Sequence, residues 1–101
     1  MERDADTLFR ATREQLLELS NVPLATYRVQ LHAGFGFAAA AAVVPYLARL
    51  GVSHLYSSPV LEAMPGSTHG YDVIDHATVN VELGGAVGYH ALSETLAAQG
   101  M

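Results

Sequence analysis

The chain has 101 residues, 50% of them apolar and 15% charged, with 5 basic side chains against 10 acidic ones and a formal net charge of -5. That is one domain's worth of chain, able to hide roughly 60 to 70% of its unfolded surface, which sets aside multidomain organisation and disorder over most of the length. Its acidity leaves no electrostatic footprint for a nucleic-acid backbone, and with 0 cysteines disulfide frameworks, thiolate metal sites and cysteine nucleophiles are excluded.

The amino terminus, MERDADTLFR, mixes charges of both signs where a secretory signal places basic residues before an apolar run. No window reaches the roughly 18 consecutive apolar residues of a membrane helix. A cytoplasmic protein is expected, with neither nucleic acid nor membrane as partner. Residues 6 to 19 read as an amphipathic helix, with Leu8, Thr12, Leu16 and Leu19 recurring near helical spacing and Asp6 as its cap. It is expected to stop around Ser20 and Asn21, because Pro23 biases Val22 away from helical angles.

Residues 25 to 31, ATYRVQL, change the period from 3.6 to 2. Tyr27, Val29 and Leu31 point one way, Thr26, Arg28 and Gln30 the other, and this predicts a strand. Gly34 and Gly36 break it. From Phe37 to Leu50 the residues Phe37, Ala40, Val43, Val44, Leu47 and Leu50 form one helical stripe, closed by Gly51 as a carboxyl-terminal cap. Pro45 inside that stripe predicts a kink near residues 41 to 45. The Ala38 to Ala42 run reads simply as good helix former.

Val52 to Ser57, bounded by Gly51 and Pro59, suits a strand buried on both faces of a parallel sheet, with His54 as a satisfied core histidine. A long irregular stretch containing Pro65, Gly66 and Gly70 follows. Helical spacing returns from Ala86 to Gln99 through Val87, Tyr89, Leu92 and Leu96, with Gly100 as the stop. Two successive β-to-α units predict parallel strands joined by right-handed crossovers. Two such strands keep two open edges, and their faces outrun what these helices can cover, so the pattern reads as the opening of a larger α/β sheet or barrel. The expectation is a fragment.

STHGYDVIDH, residues 67 to 76, concentrates the polar chemistry. His69, Asp72, Asp75 and His76 have the donor types of a zinc or iron site, but their spacing matches no metal motif. Asp72 and Asp75, adjacent in one loop, are expected to make turn hydrogen bonds, or to pair with Arg28 or an arginine missing from this chain, rather than to act as an acid and base pair. On the predicted first strand, Arg28 and Gln30 need polar partners if their face is buried.

Three segments carry a resemblance: TYRVQLHAGFGF (26 to 37), VPYLARLGVSHLYSSPVLEAMPGSTHGYDVIDH (44 to 76) and NVELGG (80 to 85). Together they resemble the amino-terminal end of the malto-oligosyltrehalose synthases, within the α-amylase-like glycoside hydrolases of family 13. LGV, a short strand and SP are general to that larger group, whereas PGSTHGYDV joined to TYRVQLH is much narrower. The resemblance covers about residues 24 to 100. It implies the first two β/α units of a (β/α)8 TIM barrel, incomplete, with residues 1–22 an extra amino-terminal helical leader and 23–101 the start of the catalytic barrel.

As chemistry, the resemblance implies a retaining glycosidase mechanism, with two carboxyls roughly 5 to 5.5 Å apart across the scissile bond. In the synthases the released reducing-end glucose stays bound, turns, and attacks through its anomeric hydroxyl, so an α-1,4 linkage becomes α,α-1,1 in a closed, dry site. The catalytic carboxylates lie on later strands of such a barrel, so none is expected here and the chain is expected to be inactive alone. His69, Gly70 and Tyr71 match the family's HGY. That implies Tyr71 stacks on a glucose of a malto-oligosaccharide, His69 hydrogen-bonds one of its hydroxyls, and Asp72 supports them. Gln30, near the end of the first strand, is expected to face the sugar. No cofactor or metal is expected. A non-catalytic sugar-binding module and a hydrolytic relative are the competing functions.

Overall fold

The structure, a computed structural model, describes residues 5–19 and 24–101. Its elements run α1 (Ala5–Leu19), β1 (Thr26–Val29), α2 (Phe37–Arg49), β2 (His54–Ser57), β3 (Leu61–Ala63), β4 (Val73–Val79), a 3-10 turn (Val81–Leu83) and α3 (Gly85–Ala98). Every predicted helix and strand is present. The expected stop at Ser20 and Asn21 and the influence of Pro23 on Val22 lie outside the described residues, as do the side chains of Leu16 and Leu19. Asp6 sits inside the first turn of α1, where its charge suits the positive end of the helix dipole. The described side chains of α1, residues 5 to 15, are all exposed, Leu8 and Phe9 among them.

β1 and β2 pair in parallel, in the register Thr26↔His54, Tyr27↔Leu55, Arg28↔Tyr56 and Val29↔Ser57. Parallel neighbours need a crossover, and α2 supplies it. Serines bracket the pair. At the start, Ser53 Oγ accepts from the N–H groups of Leu24 and Ala25 at 2.9 and 3.0 Å and donates to Ala25 O. Beyond the end, Ser58 N–H donates to Val29 O at 3.0 Å, and buried Ser58 Oγ accepts from Leu31 N–H at 2.7 Å. Strand-like order thus reaches Leu31, as the alternation predicts, although the ladder itself stops at Val29.

One face of the pair carries the core. Val29 and Leu31 are buried with Phe37, Ala40 and Val44 of α2, Leu83 of the 3-10 turn and Leu92 of α3. Leu55 packs against this cluster from β2. The other face is open: Arg28, Gln30 and Tyr56 are exposed, Tyr56 at 60%. A β2 buried on both faces is therefore not what forms. Helices cover only one side of this sheet, so Leu55 packs on the core while Tyr56 stays exposed, and His54 is half-buried with Nδ1 3.0 Å from Ser53 Oγ.

The predicted stripes are narrower in the structure. In α2, Phe37, Ala40, Val44 and Leu47 are buried, while Leu50 is exposed just past the helix end. The helix runs through Pro45 without a break, forgoing the hydrogen bond that proline nitrogen cannot donate. In α3 only Leu92 is buried, Leu96 packs partly, and Val87 is 85% exposed. Both helices close with the same glycine device: Gly51 and Gly100 take φ of 88° and 72°. In each, the glycine N–H and the next N–H return to carbonyls of the last turn, Ala48 and Leu47 in one case, Ala97 and Leu96 in the other.

Residues 58 to 85 are not irregular. β3 and β4 form an antiparallel pair with register shifts on either side of Glu62, followed by the 3-10 turn. Strand alternation is obscured there because β3 is short and β4, VIDHATV, is exposed over most of its length. Asn80 closes the hairpin. It is buried, its Oδ1 accepts from Glu82 N–H at 3.0 Å, and its N–H donates to Val60 O at 2.9 Å.

Replacing Ser58 by Ala leaves a buried Leu31 N–H unpaired. A loss of about 1–3 kcal/mol is expected from chemical denaturation, against less than about 0.5 kcal/mol for the exposed-site control Ser93→Ala.

Candidate functional site

The loop 64–72 connects β3 to β4, and its own polar groups shape it. Met64, Pro65, Gly66 and Ser67 make a turn closed by Ser67 N–H donating to Met64 O at 3.0 Å, with proline second and left-handed Gly66 (φ 77°) third. Gly66 N–H donates to both carboxylate oxygens of Glu82, at 3.0 and 3.2 Å. Ser67 Oγ donates to Asp72 Oδ1 at 2.6 Å and accepts from Gly70 N–H at 3.0 Å. Gly70 is left-handed (φ 78°), and a Cβ there would lie 2.9 Å from Pro59 O. Any other residue at the centre of HGY would collide with backbone.

His69 and Tyr71 stand on either side of that glycine, both exposed, with rings stacked at 5.9 Å and 26°. Tyr71 N–H donates to His69 Nδ1 at 3.0 Å. An imidazole that accepts at Nδ1 carries its proton on Nε2, so His69 presents a donor. Arg28 Nη2 donates to the Tyr71 hydroxyl at 3.2 Å, Arg28 Nη1 donates to Gln30 Oε1 at 3.3 Å, and Gln30 Nε2 donates to Thr68 O at 2.9 Å. The open face of β1 is thereby joined to the loop. Arg28 and Gln30 also wall a cleft of about 400 Å³ that extends along β1 to Tyr27, Phe35 and Tyr46.

Of the expected site residues, His69, Tyr71 and Gln30 come together. Gln30 joins them through its side-chain amide, which accepts from Arg28 and donates to Thr68 O. Asp72 faces the inside of its turn, where the Ser67 hydroxyl, and to a smaller degree its own backbone N–H and His69, hold its carboxyl below the ordinary 3.8. Asp75 is likewise lowered by Ala77 N–H and the Thr78 hydroxyl, which donate to it at 2.9 and 2.7 Å. The two aspartates are thus occupied in separate turns, and Arg28 pairs with neither. Among the described residues no three His, Cys, Asp or Glu side chains converge as metal ligands, and no helix is long and apolar enough to cross a membrane. Sequence reasoning missed the bond from Arg28 to Tyr71 and the holding roles of Ser67, Thr68 and Glu82. Only the placement of Arg28 and Gln30 on one strand face signalled any of it.

No protein-family model matches the chain. A Mycobacterium tuberculosis protein named as a maltooligosyl trehalose synthase is 52% identical over 83 residues, which are 77% of this chain and 11% of that protein. The relatives of this chain are maltooligosyl trehalose synthases. It matches an amino-terminal part of them and spans about 11% of the length of the curated relatives. The solved maltooligosyltrehalose synthase from Arthrobacter ramosus superposes with a TM-score of 0.77 at 49% identity, over 78% of this chain and 10% of its own. A DSM5389 glycosyltrehalose synthase gives 0.75 at 52% identity, over 76% and 11%. An α-amylase from Geobacillus thermoleovorans, solved with acarbose, gives 0.69 at 20% identity over 76% of this chain and 21% of its own, a likeness of fold. The chain is an α/β structure resembling the start of an α-amylase-like fold.

Because the folded state lowers the pKa of Asp72 and Asp75, their contributions to stability are present above the ordinary carboxylate value and are lost as pH falls through the lowered ones. Melting temperatures followed from about pH 5 down to about pH 2 should fall, and Ser67→Ala or Asp72→Asn should flatten part of that slope.

Proposed function

We propose that this chain is the opening of a maltooligosyl trehalose synthase of glycoside hydrolase family 13: residues 23–101 supply the first two β/α units of its (β/α)8 barrel and residues 1–22 a helical leader. In this reading the whole enzyme is a cytoplasmic intramolecular transglucosylase of trehalose biosynthesis. It moves the reducing-end glucose of a malto-oligosaccharide from an α-1,4 to an α,α-1,1 linkage. The catalytic carboxylates belong to later strands of the whole enzyme, and the chain as it stands does not turn substrate over.

The observation that carries this reading is the pairing of 52% identity with an exposed aromatic-and-donor cluster beyond the carboxyl end of the parallel strands. In barrels of this class that end holds the active site. Tyr71, 61% exposed, offers a ring face to a pyranose, and the proton on His69 Nε2 suits a sugar hydroxyl. Gln30, through Thr68 O, and Asp72, through the Ser67 hydroxyl, hold the loop, which is how they serve binding. The open face of β1 and β2 further supports it, since parallel sheets are normally covered on both faces. A second reading, a sugar-binding module without catalysis, draws on the fact that every bond of the cluster is made within these residues.

Reading the DNA downstream of codon 101 and assaying the extended protein decides among these. Continuation into a strand bearing an Asp and then an Asn-His pair is expected, with malto-oligosaccharides losing reducing power at unchanged length. Release of reducing sugar instead identifies a hydrolytic relative. A stop codon at that point, with sugar binding by the chain, identifies the module. In the extended enzyme Tyr71→Ala should lower kcat/KM roughly 10- to 100-fold, the worth of one aromatic contact face.

A further inference from the structure

Tyr71 projects from a glycine-containing loop, and its ring neighbour, His69, is exposed too. Apolar packing therefore does not set the angle of this ring. Two polar contacts remain: the backbone-anchored His69 ring beneath it and the guanidinium of Arg28 at its hydroxyl. Arg28 is rooted in β1, 43 positions away in sequence, on the ordered parallel pair. Its partners are neutral, a phenol and an amide oxygen, so it is not a salt-bridge residue that happens to pass nearby.

The bonds close a loop. Arg28 reaches Tyr71 directly, and it reaches Thr68 through Gln30, so β1 grips the loop at residues 68 and 71 at once. A planar guanidinium can direct separate nitrogens to both acceptors, whereas a lysine ammonium is a point charge on a flexible stem. We infer that Arg28 is a positioning residue, which fixes the Tyr71 ring against His69 through the phenolic oxygen and thereby presets the sugar-facing surface. The sugar part rests on the function proposed above; the positioning part does not.

The test uses the 101-residue chain with labelled aromatic rings, observed by NMR without and with maltopentaose. Arg28→Met should abolish the nuclear Overhauser contacts between Tyr71 and His69 while preserving those between buried Phe37 and exposed Tyr89, which meet edge-on at 5.8 Å away from the loop. Tyr71→Phe, which removes only the oxygen and spares the fold, should abolish the contact with His69 likewise, and Arg28→Lys should restore it incompletely. In sugar titrations each single variant should weaken binding about 2- to 10-fold, with the double variant no weaker than either. Retention of the ring contact in Arg28→Met or Tyr71→Phe overturns the inference, as does strictly additive loss of affinity. Loss of the ring contact in a chain that binds no maltopentaose upholds the positioning role and removes the sugar reading.

Discussion

The parallel pairing of β1 with β2 is the constraint on which the remaining structure depends. It is short, and its ends are secured by side chains rather than by more ladder: Ser53 at one end and buried Ser58 at the other. Ser53 takes up two backbone N–H groups and Ser58 one, which matters most at Leu31, buried at 1% exposure. With β1 held straight through Leu31, alternation does the rest. Val29 and Leu31 meet the helices, and Arg28 and Gln30 are delivered to the opposite side.

That opposite side is organised by hydrogen bonds in place of apolar burial. Glu82 holds Gly66, Ser67 ties Gly70 to Asp72, Gln30 holds Thr68, and Arg28 holds Tyr71. Bonds made in water contribute modestly one by one. Their number on so short a loop, with two glycines in left-handed geometry, nonetheless restricts it to few conformations. A binding surface with little apolar support gains from such restriction, because ordering it at the moment of binding would cost affinity.

The relatives place this arrangement in context. Their match covers about three quarters of this chain and a tenth of their own length. In the reading favoured above, the exposed residues Arg28, Gln30 and Tyr56 line the interior of a closed barrel, and the polar partners they would need on burial come from later strands. The hairpin β3–β4 then raises the HGY loop at the rim, which explains why a strand pair interrupts the simple alternation of strand and helix.

Local chemistry made much of this readable from residues alone. Period-2 alternation in ATYRVQL, the apolar stripe opening at Phe37 and the stop signals at Gly51 and Gly100 depend on neighbours within a few positions, and each reappears in place. His69 and Tyr71 flank one glycine in HGY, so their meeting also depends on neighbours within a few positions. What stayed hidden was whatever depends on contacts distant in sequence. β4 becomes a strand only by pairing with β3; β2 is covered on one face because α2 and α3 lie together on that side; and Arg28 meets Tyr71 across 43 positions. Period and propensity report the conformation a segment prefers by itself, whereas the partner of a guanidinium or a strand edge is chosen by the packing of the whole chain, and only the tertiary structure decided those.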